Sequence, residues 1–172
     1  MLLEFGSSEP GYNLGNLPMV GATMSEEDRW RDWATNAAAR IKQQRETEVV
    51  QNKAFLAKEE IRKRGALRVW EQIRNEMKAM VEALNAHMQT ETLAWDNPRT
   101  QEAIVRIVDS GRTGKAIFDS ESGELQLEGP GIQARYGAVL GPNNEVVFVN
   151  PQPQQPHEIA KWFINSLVNL IQ

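Results

Sequence analysis

The segment Gly111-Arg112-Thr113-Gly114-Lys115 has a spacing similar to the end of a phosphate-binding loop. Such a loop places a glycine five residues before its Gly-Lys pair and a Ser or Thr after the lysine, because backbone N–H groups cradle phosphates and the hydroxyl binds Mg²⁺. In this sequence Asp109 stands at the glycine position and Ala116 at the hydroxyl position. We therefore predict a turn here and no phosphate site.

Metal and acid–base chemistry have few candidate residues in this sequence. Asp119–Glu124 carries oxygen ligands at alternate positions, but its glycine comes one residue too early for a calcium loop and no Glu follows at position 12. His87 and His157 have no second histidine or carboxylate at metal-ligand spacing. The sequence has no cysteine, which excludes thiol nucleophiles and thiolate metal sites. We expect no catalytic residue, no metal, no cofactor and no enzymatic activity.

Nucleic-acid binding has one candidate, a cluster of four basic side chains at Arg62, Lys63, Arg64 and Arg68. These side chains could contact phosphates. However, Glu59 and Glu60 stand four residues before Lys63 and Arg64, a spacing that forms ion pairs on a solvated helix. Residues 25–89 carry 13 basic and 11 acidic side chains, so their net charge is only +2. A nucleic-acid-binding regulator is therefore our alternative interpretation, not the first.

The segment that carries the basic cluster is predicted to be one long helix from Ser25 to about Met88. Ser25 is a good N-cap, and the three acidic residues after it suit the positive end of the helix dipole. The segment has no proline and a single glycine. Some 60 helical residues span roughly 90 Å, which is longer than a compact domain of this size is wide.

Two apolar stripes on this helix predict contacts with another helix. The first, which we call the tryptophan stripe, comprises Trp30, Trp33, Ala34, Ala37, Ala38 and Ile41 at spacings of three and four. The second follows a heptad pattern through Trp70, Ile73, Met77, Met80 and Leu84. We predict that Trp30, Trp33 and these five residues form the seam of a homo-oligomer or of a complex with a partner protein.

Gly65 leaves two helical architectures open. Arg62-Lys63-Arg64-Gly65 is typical of a helix C-terminus and would allow an antiparallel helical hairpin. The following residues provide neither an N-cap nor a loop, and in the heptad register Gly65 lies at position c on the outer face. A continuous, coiled-coil-like helix is the favoured interpretation, and the hairpin is the alternative.

The remaining segments predict an α+β fold. Residues 1–24, rich in Gly, Pro and Asn, form an extended arm that is either flexible or ordered by a partner. Residues 90–172 form a small α+β domain, and Asp96-Asn97-Pro98 is predicted as a firm boundary between the helical segment and the strands.

We expect four or five antiparallel strands within about 104–149. Ile104–Val108 is a strand or the end of a short helix, with the strand favoured. Two hairpins are predicted, one with the loop Asp119–Gly123 and one with the loop Gly141–Asn144, and apolar residues alternate along the strand at Ile132–Leu140. A helix at about 157–171 closes the sheet, and its apolar face contains Ile159, Trp162, Phe163 and Leu167.

The distribution of apolar residues indicates a protein without a membrane span. The longest apolar runs have only a few residues, whereas a membrane span needs about 18. Without cysteines or a signal-like start, we expect a cytoplasmic location. The function predicted from the sequence is a non-enzymatic assembly or adaptor protein that self-associates or docks on a partner through the long helix and the arm.

Overall fold

The computed structural model describes residues 25–171. In chain order, its elements are α1 (Glu26–Met88), β1 (Leu93–Arg99), β2 (Glu102–Ile107), β3 (Thr113–Asp119), β4 (Glu124–Gly129), β5 (Ile132–Leu140), β6 (Val146–Val149), β7 (Pro153–Gln154) and α2 (Pro156–Val168). This is the α+β class predicted from the sequence. The arm predicted for residues 1–24 lies outside the described residues. The chain divides after Glu48 into two compact units, and the second, from Val49, contains the sheet.

Helix α1 begins where the sequence predicts. The Ser25 hydroxyl accepts a hydrogen bond from the Asp28 backbone N–H at 3.1 Å and donates one to the Asp28 carboxylate at 2.7 Å. The first bond satisfies one of the free N–H groups of the first helical turn, and both bonds together fix the start of the helix.

Gly65 lies inside α1, so the continuous helix is confirmed and the hairpin alternative is wrong. The expected position of Gly65 on the outer face is also wrong. A Cβ added at Gly65 would lie 2.9 Å from the Val146 Cβ and would collide with the Val146 Cγ2. The glycine is therefore a close-approach point that lets β6 pack directly on the helix backbone.

The seven strands form one open antiparallel sheet in which each strand pairs with the next along the chain. Both predicted hairpins, β3–β4 and β5–β6, are confirmed. The strand predicted at Ile104–Val108 is also confirmed, since residues 104–107 belong to β2. The predicted boundary at Asp96-Asn97-Pro98 is wrong, because these residues lie within β1. Proline is tolerated there because β1 is an edge strand, and the pairing register shifts between Asp96 and Arg99.

One face of the sheet is covered by the C-terminal part of α1 and by α2. The largest fully buried side chains come from both helices and from the sheet: Trp70, Ile73 and Met77 from α1, Phe118 and Phe148 from the sheet, and Phe163 and Leu167 from α2. Gly114 allows the contact with α2, since a Cβ there would lie 2.9 Å from the Phe163 and Leu167 side chains. No helix within residues 25–171 is both long and apolar enough to cross a membrane.

Candidate docking surface

The tryptophan stripe is exposed to solvent. Trp30 and Trp33 are 68% and 66% exposed, and Ile41 is 53% exposed. The two indole rings contact each other edge to face, with centroids 6.4 Å apart and an interplanar angle of 82°. This contact orders the rings on one helix face but leaves most of their apolar surface in water.

The exposure extends over more than half of α1. Within residues 26–58, every residue except Ala37 is exposed. A helical segment with no packed face is only marginally stable in water, because most helical stability in proteins comes from tertiary contacts. The large apolar side chains exposed on this segment make it a candidate docking surface.

The second predicted stripe lies in a different environment. Trp70, Ile73 and Met77 are fully buried against the chain's own sheet, and Met80 and Leu84 pack against the same core. These five residues contact their own chain, so they leave no free seam for a partner. Of the two predicted stripes, the tryptophan stripe is therefore the one whose side chains are exposed in the described part of the chain.

Trp70 anchors α1 to the sheet by two contacts. Its ring stacks on Phe118 with centroids 5.9 Å apart and an interplanar angle of 18°. Its indole Nε1–H donates a hydrogen bond to the Thr100 carbonyl oxygen at 2.9 Å. Because both the ring and its polar atom are satisfied within the chain, Trp70 is a core residue in this structure.

The basic cluster is partly used inside the chain. The Arg62 guanidinium binds the Glu59 carboxylate at 2.8 Å and donates to the Ser122 carbonyl oxygen at 2.9 Å. Arg64 forms an ion pair with Glu60 at 3.3 Å. The structure thus brings Arg62 onto the β3–β4 loop and pairs Arg64 with its neighbour, while Lys63 and Arg68 remain exposed.

The ion pair of Arg62 with Glu59 shifts the protonation of both side chains. The hydrogen bond from Arg62 holds the pKa of the Glu59 carboxyl below its usual value, and the charges of Arg62 and Lys63 act in the same direction. The same bond raises the pKa of Arg62. The ionised pair is therefore favoured at neutral pH, and it stabilises the contact between α1 and the loop after β3.

The oxygen-rich segment Asp119–Glu124 is a hairpin loop, as predicted. The Ser122 hydroxyl donates to the Asp119 carboxylate at 2.6 Å, and the Glu121 backbone N–H donates to it at 2.9 Å. These bonds lower the pKa of Asp119, with the Ser122 bond as the largest cause. The carboxylate thus closes the turn.

The other candidate residues are spread over the fold. The predicted turn at Gly111 leads into strand β3, whereas a phosphate-binding loop leads into a helix. His87 lies in the last turn of α1, and His157 lies in the first turn of α2. Within residues 25–171, no three His, Asp or Glu side chains converge in a way that could hold a metal ion.

Sequence reasoning missed a shallow hollow beside α2. It is lined by Tyr136, Gln154, Glu158, Lys161, Trp162 and Asn165. Trp162, which we placed on the covering face of α2, is 42% exposed, and burial raises the pKa of Tyr136. The available signal was the position of Trp162 directly after Lys161, at the polar border of the apolar face of α2.

Comparison with known proteins assigns neither a family nor a function to these surfaces. No protein-family model matches the chain, and neither a curated protein nor a solved structure is significantly similar to it. The functional argument therefore rests on the surfaces described above.

Proposed function

We propose that this protein is a non-enzymatic assembly protein that self-associates through the tryptophan stripe of α1. The observation that carries the proposal is the exposure of Trp30 and Trp33, at 68% and 66%, on a helical segment whose side chains are exposed at every position of residues 26–58 except Ala37. The second compact unit, which contains the sheet, has its own core and would present its surface to the rest of the assembly.

The energetics of burial support a protein contact at this site. An aromatic side chain of this size buries about 150–250 Å². At about 25 cal/mol per Å², covering the exposed two-thirds of each tryptophan contributes roughly 3 kcal/mol. Tryptophan is also among the residues that most often dominate the binding energy of protein interfaces.

The composition of the stripe supports a second copy as the partner. The two bulky tryptophans are followed, within five residues of Trp33, by the three alanines of the stripe. A surface that contains both large and small side chains can be complementary to itself, since the large residues of one copy fill the space over the small residues of the other. Closed two-fold dimers are also the commonest protein oligomers.

The alternative nucleic-acid function has no comparable support. Arg62 is 17% exposed and is held by Glu59 and a backbone carbonyl oxygen, which leaves fewer free cations than the sequence suggested. We therefore base the proposal on the tryptophan stripe alone.

The test is the solution mass of the full chain by light scattering. We expect a dimer or larger oligomer, that is, at least twice the chain mass of 19.4 kDa. The variant Trp30→Ala/Trp33→Ala should be a monomer. The matched control is Trp162→Ala, which removes an exposed tryptophan from α2 and should leave the mass unchanged. A wild-type monomer over the whole concentration range, or a double variant that stays oligomeric, would contradict the proposal.

A further inference from the structure

We propose that two copies of the chain pair antiparallel along residues 26–45 of α1, with residue 26 of one copy opposite residue 45 of the other. This inference rests on the proposed self-association and adds the orientation and register of the pair. In this register Trp30 lies opposite Ile41 and Ala34 opposite Ala37, while Trp33 and Ala38 lie at the two edges of the contact, so every contact combines members of the tryptophan stripe.

Side-chain volume favours this register. Trp33 is bulky and exposed at one edge of the stripe, and Ala38 is small and exposed at the other, so the centre of the contact is formed by Trp30, Ile41 and the alanines between them. The Ala34–Ala37 contact at the centre lets the two helix backbones approach closely. Ile41 then covers the ring of Trp30 at each end, which removes the two most exposed rings of the stripe from water.

The distribution of charge favours the antiparallel orientation. Residues 26–32 contain four acidic and two basic side chains, a net charge of −2. Residues 39–45 contain three basic side chains and no acidic one, a net charge of +3. The antiparallel register places these two segments opposite each other at both ends of the pair. A parallel pair in register would place each segment against itself, and like charges across an interface disfavour that arrangement.

The symmetry of the arrangement makes it a closed dimer. Both copies use the same surface. Each contact between residue i of one copy and residue j of the other therefore occurs twice, once at each end of the pair. The overlap of 20 residues corresponds to about 30 Å of helix. It ends before Glu48, where the first compact unit of the chain ends.

Cysteine cross-linking of the full chain tests the orientation. The natural chain has no cysteine, so single introduced thiols have no background. Glu27→Cys and Gln44→Cys lie opposite each other in the antiparallel register. Each variant alone should stay unlinked under mild oxidation, and an equimolar mixture, refolded together so that subunits exchange, should give a disulfide-linked dimer. Asn36→Cys, on the other side of the helix, should stay unlinked and serves as the control.

The outcomes separate this inference from the proposed function. If each single variant links to itself, the helices are parallel and the inference is wrong, although self-association stands. If light scattering shows a dimer and the mixture does not link, another segment, such as residues 1–24 of the second copy, covers the stripe, and the inference is again wrong. If the protein is a monomer, both proposals fail.

A charge exchange gives a second, independent readout. Arg45→Glu places a carboxylate opposite Glu26 and should raise the dimer dissociation constant about fivefold. Adding Glu26→Arg to the same chain should restore the wild-type constant, because the two positions face each other between copies. Failure of the second substitution to restore binding would overturn the proposed register.

Discussion

Helix α1 carries tryptophans in two stretches that differ in what covers them. Trp30 and Trp33 lie in a stretch whose side chains are exposed, whereas Trp70 is fully buried against Phe118. Both stretches have apolar residues at spacings of three and four. The difference shows that helical periodicity identifies a face that needs a partner, but not whether that partner belongs to the same chain.

The largest effect that distinguishes the two stretches is on folding stability. Trp70→Ala should lower the free energy of unfolding by about 3–5 kcal/mol, because it leaves a cavity in a packed core and removes the bond to Thr100. Trp30→Ala, measured at concentrations where the chain is monomeric, should change it by less than about 0.5 kcal/mol. Urea unfolding followed by circular dichroism measures both. Equal effects of the two substitutions would contradict the comparison.

The next effect is the change in folding stability caused by Gly65→Ala. The sign of this change distinguishes an exposed glycine from one that is packed against β6. On an exposed helix face, Gly65→Ala would stabilise the helix by about 1 kcal/mol. Because a Cβ there meets Val146, we expect instead a net destabilisation of about 1–2 kcal/mol from overpacking.

The double variant Gly65→Ala/Val146→Ala provides the control for this steric effect. It should be more stable than Val146→Ala alone, since the added methyl group then enters free space and improves helix propensity. The same urea titration measures the complete cycle. A stabilising Gly65→Ala in the wild-type background would show that α1 does not approach β6 as closely as described.

A comparable effect comes from two arginines that are two residues apart on the same helix. Arg62→Leu should cost about 1–2 kcal/mol, because the guanidinium is largely covered and donates to Ser122 as well as to Glu59. Arg64→Leu is the matched control. Its side chain is 82% exposed, and its ion pair with Glu60 should contribute less than about 0.5 kcal/mol. Comparable losses would mean that the contact of Arg62 with the loop does not stabilise the fold.

The smallest effect is a pH dependence at Glu59. Its pKa in the folded chain is lowered by Arg62, so its contribution to stability is present above the unfolded-state pKa and is lost as the pH falls through the folded-state pKa. Glu59→Gln should therefore be less stable than wild type at pH 7, and the difference should shrink in the acidic range. A difference that is constant with pH would show that the ionised carboxylate is not the stabilising group.

The sequence was most informative where a local signal decides the structure. The Ser25 cap, the hairpin loops at Asp119–Gly123 and Gly141–Asn144, and the alternation in β5 all depend on residues close in sequence, and all are present in the fold. β1 and β7 were missed because each contains proline, and only their positions at the sheet edges make that residue acceptable.

The candidate site was less predictable, because the partner of each helix face is set by contacts distant in sequence. The heptad through Trp70 satisfied the pattern of a coiled-coil seam, yet the sheet from the same chain occupies that face. The position of Gly65 against Val146 depends on residues 81 positions apart, which no local pattern contains. The tryptophan stripe, by contrast, was identified from the sequence, and its exposure is a property of the structure.

The central claim is that the two stretches of α1 are stabilised by different chains. Amide hydrogen exchange of the full protein at two concentrations, one above and one far below the dimer dissociation constant, tests it most directly. We expect protection of residues 30–45 at the high concentration and its loss on dilution, because those helical N–H groups depend on the second copy. Protection of residues 66–81 should be the same at both concentrations. Protection of residues 30–45 that does not change with dilution would contradict the claim.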